Sequence, residues 1–306
     1  MTLDIVVLCY NEEEMIPLFY EEVLKVLNSL NIPYKLIFVD DGSSDDSLKI
    51  IKKLANINDD VKFVSFSRNF GKEAGIYAGL KTSENEYVCL IDADLQHPPN
   101  LIPKMISILE EGYYDCVATK RASRKGESVI RSFLSKNFYK TFNRFSDIKL
   151  DTGVTDYRMM KRSVVDAILE LCEYNRFSKG IFSWVGFETK YLEYENIERA
   201  KGKTNWSLLN LFKYSLEAIT SFSTTLLNIS TILGVTFSIL SFVYIIIIII
   251  RTLIFGDPVA GWPSTISTIL LVGGVQLISI GILGQYLAKT YLETKKRPIY
   301  IIKENN

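Results

Sequence analysis

Leu36-Ile37-Phe38-Val39-Asp40-Asp41-Gly42-Ser43 is an apolar run of strand length that stops abruptly at two carboxylates and a glycine turn. Tyr87-Val88-Cys89-Leu90-Ile91 followed by Asp92-Ala93-Asp94-Leu95-Gln96-His97 has the same design. Strands buried on both faces of a parallel sheet read as near-continuous apolar runs of this kind. Ile5–Cys9 and Lys62–Phe66 are further examples. Helical patterns separate them: one starts near Glu12 with Ile16, Phe19, Val23, Val26, Leu27 and Leu30 on one face, one follows Ser44 as its N-cap, one covers Lys72 to Leu80, and one covers Asn100 to Glu110. The alternation predicts an α/β fold, Rossmann-like, with an open and mostly parallel sheet carrying helices on both faces.

Beyond Val117–Thr119 the rhythm changes. Ser128 to Arg144 reads as a basic helix, Val154–Met160 as a strand, Val164–Leu171 as a helix, and Thr189–Glu193 as a strand after the aromatic-rich Phe182–Phe187. Trp206 to Phe222 reads as an amphipathic helix carrying Leu208, Leu209, Phe212 and Leu216. Leu226 to Ile250 and Ser264 to Ala288 contain no charged residue, and each exceeds the roughly 20 residues needed to cross a bilayer core. Buried helices of a soluble protein are the alternative, but six consecutive isoleucines, Ile245 to Ile250, would be an aggregation hazard in water. Arg199, Lys201, Lys203 and Lys213 precede the first apolar segment and Lys289, Lys295, Lys296 and Arg297 follow the second, which predicts both termini on the cytoplasmic side. The expected organisation is a catalytic domain over 1–205, an interface helix over 206–225, a two-helix membrane domain over 226–290 and a cytoplasmic tail over 291–306.

The 306 residues balance 35 basic against 35 acidic side chains, which argues against a general nucleic-acid binder. The four cysteines have no CxxC spacing, and Cys9, Cys89 and Cys116 fall in predicted buried strands, as small core residues do. No N-terminal pattern of basic region, apolar stretch and cleavage site precedes the first strand, so no secretory signal is expected.

Ligands of open α/β sheets bind beyond the carboxyl ends of the strands. Carboxylates gathered there suit a divalent cation whose shell is completed by substrate phosphates, which points to a transferase using a nucleotide-sugar donor. Asp92 and Asp94 form the metal-ligating pair, with Mg2+ or Mn2+ as the ion. Tyr10, Asn11 and Glu12 end the first strand, where base and ribose could dock, although Asn11 or Glu12 could equally cap a helix. Asp40 and Asp41 belong to a plain turn signal and gain weight only beside Asp92 and Asp94. Gln96 and the only histidine, His97, follow; His97 reads as an exposed turn residue before Pro98 or as a substrate contact. Basic residues gather at Arg121, Arg124, Arg131 and Lys136, which a solvated basic face would also explain.

Several motifs carry a resemblance: Cys9-Tyr10-Asn11-Glu12-Glu13, Val39-Asp40-Asp41-Gly42-Ser43, Arg68-Asn69-Phe70-Gly71-Lys72-Glu73, Asp92 through Pro99, Asp156-Tyr157-Arg158-Met159-Met160, Phe177-Ser178-Lys179-Gly180 and Glu293-Thr294-Lys295-Lys296-Arg297-Pro298. Together they resemble the inverting family-two glycosyltransferases of GT-A fold. More narrowly they resemble the polyprenyl-phosphate branch that includes dolichyl-phosphate mannose synthase and the bactoprenol glucosyltransferases. The resemblance runs end to end. It departs at Thr204-Asn205-Trp206, where relatives carry a lysine at the position of Asn205 and where Lys201 or Lys203 could compensate.

The resemblance implies transfer of a hexose, glucose or else N-acetylglucosamine, from a UDP-sugar to undecaprenyl phosphate in a bacterial cell membrane. It also implies a homo-oligomer such as a tetramer, and downstream flipping and use of the lipid-linked sugar by a flippase and a further glycosyltransferase. It assigns Asp156 and Asp94 to catalysis, Lys72 to the donor, and Arg121, Arg124, Arg131, Lys136, Arg199 and Lys203 to the acceptor phosphate. For Asp156 three roles stand: general base, a group orienting an arginine such as Arg158, or a strand-edge salt bridge. A processive polysaccharide synthase is disfavoured because no Gln-x-x-Arg-Trp element is present. A non-catalytic partner binding lipid phosphate is disfavoured because the acidic turns are intact.

Overall fold

The computed structural model describes residues 1–122, 139–144, 146, 148–195, 220–255 and 261–306. Arg124, Arg131, Lys136, Arg199 and Lys203 lie outside the described residues, as do Asn205 and most of the predicted basic and amphipathic helices.

Among the described residues eight strands form one sheet: β1 (Leu3–Cys9), β2 (Tyr34–Asp40), β3 (Val61–Phe66), β4 (Tyr87–Asp92), β5 (Cys116–Arg121), β6 (Val154–Lys161), β7 (Thr189–Tyr194) and β8 (Ile302–Asn305). Their spatial order is β7-β5-β6-β4-β1-β2-β3-β8. The pairs β1/β2, β1/β4, β2/β3 and β5/β7 are parallel, while β4/β6, β5/β6 and β3/β8 are antiparallel. The mostly parallel sheet expected from the apolar runs is therefore present.

The two-residue period of each strand divides the core into two layers. Leu3, Ile5, Val7, Leu36, Phe38, Cys89 and Ile91 face helices α1 (Met15–Leu30), α2 (Ser47–Ile57) and α4 (Ile102–Glu110). Val6, Ile37, Val39, Val88 and Leu90 face α3 (Lys72–Thr82), α5 (Arg162–Glu170) and α6 (Ser178–Trp184). Helix α3 lies so close to the sheet that a Cβ at Gly79 would meet Val6 Cγ1 at 2.1 Å.

Helices α7 (Thr225–Phe255) and α8 (Trp262–Thr294) pack against each other, with apolar side chains such as Phe242, Leu253 and Leu277 exposed. Each is long and apolar enough to cross a membrane, with mean hydropathy 1.7 over Leu227–Tyr244 and 1.6 over Leu271–Thr294. Tyr286 Oη donates to the Ser223 carbonyl at 2.5 Å, and Lys289 Nζ to Ser221 Oγ at 2.8 Å, tying the end of α8 to the segment before α7.

Three features differ from the sequence reading. Ser44 is not the cap of α2, whose N-cap position is Asp46; the Ser44 N–H instead donates to Asn11 Oδ1 at 2.8 Å. The short helix α6 occupies part of the aromatic-rich stretch. The segment read as a tail supplies β8, which runs antiparallel on the edge of β3. It is held there by the Ser67 N–H to Ile301 carbonyl bond at 3.0 Å, by the Lys52–Glu304 ion pair and by Tyr300 stacked on Phe66.

Candidate active site

Strands β1, β2 and β4 end level with one another, since register places Leu8 beside Asp92 and Cys9 beside Asp40. Strand β6 runs back along β4 with Leu90 opposite Arg158, so the same register continued brings Asp156 opposite Asp92. Two carboxylates on adjacent strands repel each other unless a cation lies between them. Lys72, the first residue of α3, is that cation: its Nζ donates to Asp92 Oδ2 at 2.9 Å and sits 2.8 Å from Asp156 Oδ2. Burial disfavours the charged ammonium, but Asp156 and then Asp92 outweigh it and push the lysine above its ordinary range. Burial likewise disfavours charge on Asp156, yet Lys72, with Lys179 and Arg158 behind it, holds the carboxyl well below the usual carboxylate range. Asp156 is thus a committed anion and a poor proton acceptor.

The remaining candidates sort by what their side chains hold. Asn11, with φ of 54°, donates its N–H to Ser43 Oγ at 2.9 Å and accepts the Ser44 N–H through Oδ1, which locks the β1 loop to the β2 loop. The Glu12 N–H donates to Ser47 Oγ at 2.9 Å, and Tyr10 remains exposed at the rim. Asp40 is buried; it accepts from the Ser43 N–H at 3.1 Å and the Ser65 hydroxyl at 2.7 Å. Asp41 is buried as well and accepts the N–H groups of Phe70 at 2.6 Å and Gly71 at 2.9 Å. Burial pushes the Asp41 carboxyl up, and those backbone donors oppose the shift. Gly42 between these loops has φ of +67°, and a Cβ there would lie 2.4 Å from the Arg68 carbonyl carbon.

Asp94 accepts the Gln96 N–H at 3.1 Å, and Arg121 closes β5 beside Tyr194. His97 is not an exposed turn residue. It is 4 % exposed, packed between the rings of Tyr157 and Tyr194, with Nδ1 3.7 Å from Asp92 Oδ2. Burial lowers its pKa despite the neighbouring carboxylate, so it stands as a neutral ring behind the acidic turn. The arginine proposed as the partner of Asp156 also differs. Arg158 Nε donates to the Asp156 carbonyl at 3.3 Å, and its guanidinium lies 3.5 Å from the Phe182 ring centroid, so the Asp156 carboxylate belongs to Lys72. Sequence reading passed over Glu73, which accepts from the N–H and hydroxyl of Ser178 and is pushed up to about 7 by burial. Its place beside Lys72 at a helix start was the available signal.

Among the described residues no group of three His, Cys, Asp or Glu side chains could hold a metal. Asp92 and Asp94 alone fit the habit of Mg2+, which takes one or two carboxylates and completes its shell with substrate phosphates.

Residues 4–169 match the profile described as glycosyl transferase family 2. A protein of Escherichia coli (strain K12) described as a prophage bactoprenol glucosyl transferase homolog is 42% identical over 303 residues, covering 99% of this chain and 99% of that protein. The bactoprenol glucosyl transferase of Shigella phage SfX gives the same identity and coverage. Among solved structures, mannosyl-3-phosphoglycerate synthase from Rubrobacter xylanophilus is 14% identical, with a TM-score of 0.49 over 72% of each chain.

Proposed function

The chain belongs to glycosyl transferase family 2 and is a glycosyltransferase; we propose that it transfers a hexose, glucose by preference, from a UDP-sugar to undecaprenyl phosphate with inversion at the anomeric carbon. The acceptor is carried over from the bactoprenol glucosyl transferases it resembles along its whole length. An acceptor phosphate oxygen forms the new bond to the anomeric carbon while the bond from that carbon to the UDP oxygen breaks and UDP leaves. A phosphate monoester carries about −1.5 to −2 charge near neutral pH, so the nucleophile needs little deprotonation.

The Lys72 ammonium held between Asp92 and Asp156 carries this reading. Asp156 is too acidic to serve well as a base. Its role is to fix Lys72 at the strand ends, where negative charge develops on the departing diphosphate. A divalent cation held by Asp92 and Asp94 would supply Lewis-acid stabilisation of that same charge. Tyr10, Asn11, Glu12, Asp40, Asp41 and Gln96 shape the donor side; Arg121, with Arg124, Arg131, Lys136, Arg199 and Lys203, provides cations for the acceptor phosphate.

Helices α7 and α8 would anchor the domain in the membrane with both termini cytoplasmic. A cysteine placed at Ser264 in a Cys172→Ser background should react with an impermeant reagent from outside, and one at Asn305 should not. The decisive test of the reaction is incubation of the purified protein with undecaprenyl phosphate and a panel of labelled nucleotide sugars. Label from UDP-glucose should move into the lipid phase. Transfer from no UDP-sugar would sink the proposal, and preferred transfer from UDP-N-acetylglucosamine would replace glucose with that sugar.

A further inference from the structure

Glu73 also lines a cavity of about 210 Å³ in which neither Lys72 nor any residue of the acidic turns takes part. Its other polar residues are Arg68, Asn175 and Arg176, and the Glu73 carboxyl beside them is pushed up to about 7 by burial. Arg176 is 8 % exposed; it donates through Nη1 to the Leu171 carbonyl, and its guanidinium lies 4.5 Å from the Tyr77 ring centroid. Its Nε and the Nδ2 of Asn175 are buried with no hydrogen-bond partner among the described residues. Arg68 stacks over Phe70 at 4.0 Å and donates to its neighbour's carbonyl. Neither guanidinium forms an ion pair with a carboxylate among the described residues. Glu173 and Glu73 lie within electrostatic reach of Arg176 without a direct ion pair, so the forks of its guanidinium that face the cavity keep donors to spare.

A second cavity of about 760 Å³ shares Tyr174 and Ile299 with the first. Lys81, Lys296 and Arg297 line it against one carboxylate among the described residues, Glu293. That carboxylate is already engaged, accepting the Tyr174 N–H at 2.8 Å. The two cavities thus adjoin at Tyr174 and Ile299, with basic side chains lining both from the end of α8 to Arg176.

We infer that the wall of Arg68, Asn175 and Arg176 binds a phosphate-class anion, either carried on a lipid headgroup at the end of α8 or free in solution, at a site separate from the donor diphosphate. Guanidinium forks match phosphate oxygens in geometry and charge, and basic pockets at the cytoplasmic ends of membrane helices select anionic headgroups. The lipid source rests on reading α8 as a membrane span; the anion site does not.

Calorimetric titration of the full chain in mild detergent tests this, with inorganic phosphate, short-chain phosphatidic acid and short-chain phosphatidylcholine as probes. Wild type should bind at least one of the two phosphate probes about tenfold or more tighter than Arg68→Gln and Arg176→Gln, a difference of about 1.4 kcal/mol. The exposed Arg68 keeps the test valid if Arg176→Gln fails to fold. Lys72→Gln should bind like wild type, and phosphatidylcholine should not bind. Phosphatidic acid without inorganic phosphate identifies a lipid headgroup; binding of both identifies a site open to free anions. Equal affinity in wild type and Arg68→Gln, loss in Lys72→Gln alone, or no binding of either anion overturns the inference. Sugar transfer assayed in parallel separates the two readings: transfer without anion binding defeats this site alone, and anion binding without transfer defeats the proposed function alone.

Discussion

Asp40-Asp41 and Asp92-Ala93-Asp94 look alike in sequence, each an acidic turn after an apolar strand, yet their carboxylates do different things. Those of Asp40 and Asp41 are buried and accept from Ser43, Ser65, Phe70 and Gly71, so they weld the loops after β2 and β3. Asp92 instead shares a lysine with Asp156, a residue far away in the chain. One turn is built from backbone donors, which cannot leave without unfolding a loop. The other is built around a single long side chain that a substrate's charge can redirect. The first should govern stability, the second turnover.

The sharpest way to break this contrast is Asp156→Asn. The variant should keep its fold and lose roughly 10²- to 10³-fold in turnover, the usual cost of removing one preorganised electrostatic contact. Since Asp156 is ionised throughout the working range, raising the pH from about 6 to 9, across and beyond the acceptor's second pKa near 6, should not restore the rate. Recovery at the alkaline end would show that Asp156 is a base and that its bond to Lys72 is incidental.

Asp94→Asn sharpens the same side of the comparison. It should lower turnover by about two orders of magnitude with little change in thermal midpoint, because it weakens a ligand for a cation that stabilises the leaving diphosphate. EDTA should inhibit wild type comparably, and added Mg2+ or Mn2+ should restore it. Full activity of both the variant and the EDTA-treated enzyme would remove the metal from the site.

Asp41→Ala probes the opposite turn. It leaves the Phe70 and Gly71 N–H groups without an acceptor and should cost about 1–3 kcal/mol of stability. A loss of turnover at unchanged thermal midpoint would instead make Asp41 a donor contact and erase the distinction between the turns.

The sheet was legible because its strands are buried on both faces, so the parallel core announces itself as apolar runs. Strand β8 was not: Ile302-Lys303-Glu304-Asn305 is polar, as an edge strand with one solvated side can be, and only its pairing with β3 reveals it. At the site, the strand-end carboxylates were visible, but the meeting of Asp156 with Asp92 was not derivable. It depends on β6 running antiparallel to β4, a non-local choice that no local pattern encodes. His97 misled for a related reason. A histidine before two prolines has a turn signature, while its burial depends on Tyr157 and Tyr194 from strands far along the chain.

The smallest expected effect separates neighbours rather than turns. Lys72 and Glu73 begin the same helix; the first keeps Asp156 ionised, while Glu73 is held toward its protonated form, at about 7 against an ordinary 4.5, chiefly by burial. A folded-state value above the unfolded one means that protonation favours the fold. This contribution is fully present below about 4.5 and is lost as pH rises through about 7. Glu73→Gln keeps an acceptor for the Ser178 N–H and hydroxyl but cannot ionise. The thermal midpoint of wild type should therefore fall relative to Glu73→Gln by a few °C, at about 2–4 °C per kcal/mol for a domain of this size, between pH 5 and pH 8. Parallel midpoints across that range would show that Glu73 ionises as freely as a surface carboxylate. Its burial, which Lys72 offsets for Asp156 and not for Glu73, would then have no energetic consequence.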